Sequence, residues 1–156
     1  MSSAVVQACS CLPDDIITNA YKSADIVFTG RVIAIDTVLI SDSANVISES
    51  NTKPHLEVTI RKFVQVKFLI ARRLKSKNKN SYVIILTDAV GTRCGFEFIL
   101  NADYVVYAYK EHFGLIHDRQ RMKTRNEFRY STSSCTRTTL GIKSEIKALK
   151  ESKLIG

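Results

Sequence analysis

The chain has 156 residues, 45% hydrophobic and 24% charged, with 23 Lys and Arg against 15 Asp and Glu and a net charge of +8. That is enough chain to bury a core of ordinary size in one domain, and no stretch is apolar for long enough to span a membrane. The positive balance attracts polyanionic glycans, nucleic acid or anionic lipid surfaces, but long-range attraction is not recognition and selects none of them.

Residues 1–8 read as the last part of a leader or as a disordered tail. Val6 and Ala8 are the small residues a signal peptidase accepts ahead of Cys9, while no basic region and no apolar run of adequate length precedes them. Residues 9–13 (CSCLP) place two of the four cysteines one residue apart. A redox motif would have two intervening residues, and a zinc site would offer a second short-spaced pair. Cys94 and Cys135 stand alone instead. Side chains at i and i+2 of an extended chain share a face, so Cys9 and Cys11 are poorly placed to bond each other. Two pairings remain, each tying the N-terminus to both distant cysteines. Loops of this size contribute roughly 4 to 5 kcal/mol each in the chain-entropy model. Disulfides require an oxidising compartment, and four reduced cysteines in a cytosolic core are the alternative.

Residues 14–24 (DDIITNAYKSA) carry acidic residues first and apolar Ile16, Ile17, Ala20 and Tyr21 at helical spacing, which predicts a short helix. Residues 26–40 (IVFTGRVIAIDTVLI) are rich in β-branched residues and predict a strand, with Gly30 marking a bulge or bend. Residues 41–54 are polar and turn-rich, and predict a long loop or hairpin end. Residues 58–70 alternate as a half-buried strand, and 82–87 (YVIILT), 96–100 (FEFIL) and 104–109 (YVVYAY) predict three more. Residues 117–126 form a charged loop, 128–133 a last short strand, and 144–153 a helix with Ser144 as N-cap and Ile146 and Leu149 facing inward. Five to six antiparallel strands with a helix before and after them point to a mainly β fold, a small closed OB-like Greek-key barrel in preference to a sandwich.

The residues offer no catalytic constellation. His55, His112 and His117 are scattered, and Asp14 and Asp15 suit a helix N-terminus better than a carboxylate dyad. With no nucleophile, base and orienting group in view, the reading is a non-enzyme with no cofactor and no metal of its own. Arg72, Arg73, Lys75, Lys77 and Lys79 pack five cations into eight residues, and Arg119, Arg121, Lys123, Arg125 and Arg129 form a second cluster. The first is a candidate polyanion-binding set, although a run like this more often decorates a solvated hairpin end. Nucleic-acid binding would interleave aromatics with the cations, and Phe63, Phe68, Tyr107 and Tyr109 are explained more simply as core, so no nucleic-acid partner is expected.

The ordered set CSCLP (9–13), ADIVFTGRV (24–32), RCGFEF (93–98), YVVYAY (104–109) and STSSCTRT (131–138) resembles the netrin-like domain of tissue inhibitors of metalloproteinases. The resemblance covers nearly all of residues 9–138 and makes 9–156 one netrin-like, OB-type domain. It implies the pairs Cys9–Cys94 and Cys11–Cys135. It also implies a secreted, periplasmic or cell-surface protein that binds a zinc metalloprotease or another extracellular protein. In that family the first residue of the mature chain chelates the protease's zinc through its α-amino nitrogen and carbonyl oxygen. Here that residue would be Cys9, with Ser10 entering the specificity pocket and Cys11, Leu12 and Pro13 along the substrate groove. Gly91, Thr92 and Arg93 would form the adjacent wall. No cysteine stands near Lys22 to make the family's third disulfide, and a short helix replaces its cysteine-rich C-terminal domain, as in a divergent or bacterial-type single-domain member. The second function the family suggests is an extracellular module for a protein or sulfated-glycan ligand without protease inhibition.

Overall fold

A computed structural model describes residues 16–46, 55–77, 79–89, 94–111 and 129–156. The chain runs α1 (Ile17–Ser23), β1 (Ile26–Val46), β2 (His55–Lys75), β3 (Tyr82–Asp88), β4 (Asp103–Glu111), β5 (Arg129–Ser131) and α2 (Ile142–Glu151). It is a mainly β fold with a five-stranded sheet and two helices.

The backbone pairings form a ring. β1 pairs with β2 and with β4, β2 with β3, and β5 lies between β3 and β4. Every pair is antiparallel except β3 with β5, which is parallel at Ile85↔Tyr130 and Leu86↔Ser131. This corrects the all-antiparallel expectation, and the reason is parity. Directions that alternate around a ring with an odd number of strands must repeat once.

Residues 26–30 of β1 and 104–108 of β4 are buried on both faces. Phe28, Val32, Phe68, Ile85, Tyr104 and Val106 belong to the main core, where Phe68 meets Phe28, Phe98 and Tyr104 edge-on at centroid distances of 5.4, 5.2 and 6.4 Å. Edge-to-face contacts place the positive rim of one ring on the negative face of the next. On the opposite face, Val27, Val105 and Tyr107 pack against Ala20 and Ala24 at α1. Gly30 sits where the β1–β2 register shifts, as its place inside an apolar run predicts. A Cβ there would lie 2.8 Å from the Leu69 carbonyl oxygen, so the two strands approach too closely for any side chain.

Four expectations are corrected. The expected helix at 14–24 spans Ile17–Ser23, and Asp14 and Asp15 lie outside the described residues. Residues 41–46, expected in a loop, continue β1 in register to Val46↔His55. There the two strands form a ribbon with no third strand neighbour among the described residues, and backbone pairing does not demand alternating apolar residues. Residues 96–100 form no strand. The Phe96 amide donates to Thr87 Oγ1 at 2.8 Å and the Ile99 amide to Tyr104 Oη at 2.9 Å, so side chains take the bonds a neighbouring strand would supply. Phe98 is buried in the core, which explains the alternating pattern without a ladder. Ser144 is not the N-cap of α2. Gly141 holds that position, and Ser144 Oγ donates back to its carbonyl at 2.9 Å. Leu149 faces inward and is buried, Ile146 is half-buried, and Glu145 is buried as well.

Candidate functional site

Cys94 and Cys135, 41 positions apart, meet at one end of the sheet. The Ser134 amide donates to the Cys94 carbonyl at 2.8 Å, and the Cys135 amide donates to Ser133 Oγ at 3.2 Å. Neither cysteine is a free thiol. Gly95 presses on the end of β3, where a Cβ would fall 2.1 Å from the Asp88 carbonyl oxygen. No other residue fits that approach, so the Cys-Gly order has a packing cause.

The segment after β5 is held by hydroxyls. Thr132 Oγ1 donates to the Tyr107 carbonyl at 2.9 Å and lies 2.8 and 3.0 Å from Thr136 Oγ1 and Thr138 Oγ1. Thr138 Oγ1 in turn accepts the Tyr107 amide at 3.1 Å. Short side chains that both donate and accept let an irregular segment satisfy buried backbone groups that a ladder would otherwise pair.

Behind these threonines, Arg137 grips Glu145 with two bonds of 2.9 Å, and Tyr107 Oη donates to the same carboxylate at 2.7 Å. Burial, then the adjacent Glu145 carboxylate, pushes the Tyr107 phenol far above its ordinary range, with Arg137 opposing. The pair with Glu145 raises the Arg137 guanidinium further. This cluster ties β4, the cysteine segment and α2 to one another. In front of it a groove of about 410 Å³ opens, lined by Phe63, Leu86, Asp88, Tyr109, Thr132 and Cys135 among others.

Residues 9–13 and Gly91, Thr92 and Arg93 lie outside the described residues, so the structure places only Cys94 and Cys135 of the expected inhibitory surface. Of the first basic cluster, two members have local structural roles. Lys75 Nζ donates to the Tyr21 and Lys22 carbonyls at 2.8 Å each and to that of Ala24, closing the C-terminal turn of α1. Arg73 Nη2 donates to the Lys79 and Asn80 carbonyls across the β2–β3 connection. Arg72, Lys77 and Lys79 have exposed side chains. Arg119, Arg121, Lys123 and Arg125 fall outside the described residues. Phe63, Phe68 and Tyr107 are buried, which leaves Tyr109, half-buried, as the more accessible of the four aromatics. Among the described residues no three His, Cys, Asp or Glu side chains gather to hold a metal ion, and no helix is long and apolar enough to cross a membrane.

Sequence reading missed the Tyr107–Arg137–Glu145 cluster and the threonine network. The signal present was the density of hydroxyls in residues 131–139 (STSSCTRTT), more than a turn needs. No protein-family model matches this chain, and no curated protein matches it.

Proposed function

We propose that this chain is a secreted netrin-like protein of the inhibitor type, binding a zinc metalloprotease through Cys9, Ser10 and Cys11 once Cys9 is the first residue. The observation that carries the reading is the meeting of Cys94 and Cys135, neither of them a free thiol, on adjoining backbone at one end of the sheet. Two anchors so close together suit a segment with cysteines at i and i+2, each bonded to a different one. The pairs Cys9–Cys94 and Cys11–Cys135 that the resemblance implies would hold residues 9–13 near that end, with Gly91, Thr92 and Arg93 as the adjacent wall. A five-stranded ring with helices on the β1–β4 face further supports the closed, OB-type Greek-key barrel on which such a wedge would be mounted. Bridges of this kind require an oxidising compartment, which is where this reading expects the protein.

The chemistry is displacement of a metal-bound water. A catalytic zinc keeps a water in the position beyond its three protein ligands, and a rigid α-amine and carbonyl on one residue would displace that water and bind as a bidentate pair, making the zinc five-coordinate. An amide nitrogen has its lone pair delocalised into the carbonyl and is a poor ligand. Protein beginning at Cys9 is therefore expected to inhibit a zinc metalloprotease, whereas protein carrying residues 1–8 is not. Acetylating the α-amine of the shorter protein should abolish inhibition and leave its circular dichroism unchanged. Non-reducing peptide mapping of the same sample should return the two pairs. If the oxidised protein beginning at Cys9 has the two bridges and inhibits no member of a broad panel of zinc proteases, inhibition is refuted and a binding module without it takes its place.

A further inference from the structure

The second edge of β1 changes character along its length. From Val27 to Arg31 β1 is paired on both sides, with β2 and with β4. Val32 makes the last contacts on the β4 side, its amide donating to the Ala102 carbonyl at 3.0 Å and its carbonyl accepting from Asn101 at 2.9 Å. A register shift follows between Val32 and Ala34. Along residues 34–39 one edge of β1 continues its ladder with β2, from Ala34↔Lys67 to Leu39↔Lys62, and the other edge has no strand partner among the described residues.

Unpaired edges in native sheets are normally blunted by lysine, proline or bulges, because a row of free amides and carbonyls templates another strand. Residues 34–39 (AIDTVL) contain no proline and no cation. The register shift guards only their start. Ile35 and Leu39 leave 38% and 64% of their surface exposed on one face of this edge, with Thr37 between them. On the other face Asp36 is exposed and has no ion-pair partner among the described residues, and Lys67 is engaged over the Tyr82 ring at 4.7 Å.

We propose that the second edge of β1 at residues 34–39, which pairs with no strand among the described residues, is a strand-addition site for an extended segment of another protein, apolar at alternate positions and basic opposite Asp36. Main-chain bonds to β1 hold the added strand, its apolar side chains lie beside Ile35 and Leu39, and its cation answers Asp36 across the strands. A second copy of this chain is the poorer occupant. Residues 32–46 contain no Lys or Arg, so another β1 offers Asp36 no cation, and the two chains would each bring a charge of +8. Val38 packs against Phe63 and Leu86, which line the groove beside Cys135, so the site adjoins the cysteine end, but it does not rest on the inhibitor reading.

The test uses the full chain and two capped octapeptides of alternating valine and threonine, one with a central lysine and one with a central glutamate. Fluorescence anisotropy is expected to show the lysine peptide binding about twofold to fivefold more tightly, with the order reversed in the Asp36→Lys variant. Amide hydrogen exchange should slow at residues 34–39 and not elsewhere when the lysine peptide is bound. N-methylation of alternate peptide nitrogens should abolish both effects. Protection at another edge, no protection at saturating peptide, or an unchanged peptide order in Asp36→Lys each overturns the proposal. Protection of residues 34–39 without peptide, accompanied by dimer in sedimentation, overturns it in favour of self-pairing.

Discussion

Tyr107 does more at the level of single residues than its place in YVVYAY suggests. Its backbone joins the threonine network, its ring packs beneath α1, and its hydroxyl reaches Glu145. Periodicity foretold the burial but not the partner, because Glu145 lies 38 positions away on a helix whose inward face was read from Ile146 and Leu149. The phenol's ionisation is pushed up from an ordinary value of 10.0. A raised pKa of this kind gives stability that is complete below pH 10 and is lost as pH climbs from there toward the folded-state value. The Tyr107→Phe variant should therefore be less stable by about 2 kcal/mol at neutral pH, through loss of a bond to a charged acceptor. It should also lose stability less steeply than the parent between about pH 10 and 12. Urea titrations across that range check both expectations, and parallel curves would mean that the phenol ionises normally.

Elements were legible where one face is buried and misread where the chain has another means of satisfying its backbone. Tyr82–Asp88 and Asp103–Glu111 lie within two residues of the strands expected there, since both are apolar and centrally packed. FEFIL imitates a strand because Phe98 must reach the core, yet its amides are bonded by Thr87 and Tyr104. The first basic run reads as one electrostatic patch. Folding instead divides it, because Lys75 falls at the end of β2 beside three carbonyls of the α1 terminus. A cation at a helix C-terminus satisfies acceptors that the helix leaves open and favours the negative end of its dipole. Lys75→Met keeps much of the stem and removes that contact. It should cost about 1 to 2 kcal/mol, with faster amide exchange confined to α1. An equal loss from Lys77→Met, whose side chain is exposed, would show that charge number rather than capping is responsible.

For the whole molecule, strand number decides where the ring is weakest. Five strands force one parallel pair, and it falls on β5, which has three residues and only two pairs with β3. Parallel pairs are slightly less stable per residue. Amides of Tyr130, Ser131 and Thr132 should exchange faster than those of Val105 and Val106 under native conditions, and equal protection would refute a weak seam there. The overall class of fold was legible from composition and alternation. The meeting of Cys94 and Cys135 was not, because the two lie 41 positions apart and no local pattern announces their contact. The ribbon has a mechanical consequence of its own. Beyond Phe63, where the β2–β3 register ends, β1 and β2 continue as a pair for eight more residues of β2, about 25 Å of ribbon with no third strand among the described residues. A tilt of about 10° at its root carries the tip through an arc of about 4 Å over that length. The aim of the tip is thus set at that root, where Val38 pairs with Phe63, and a partner gripping residues 34–39 would steer the far end without touching it.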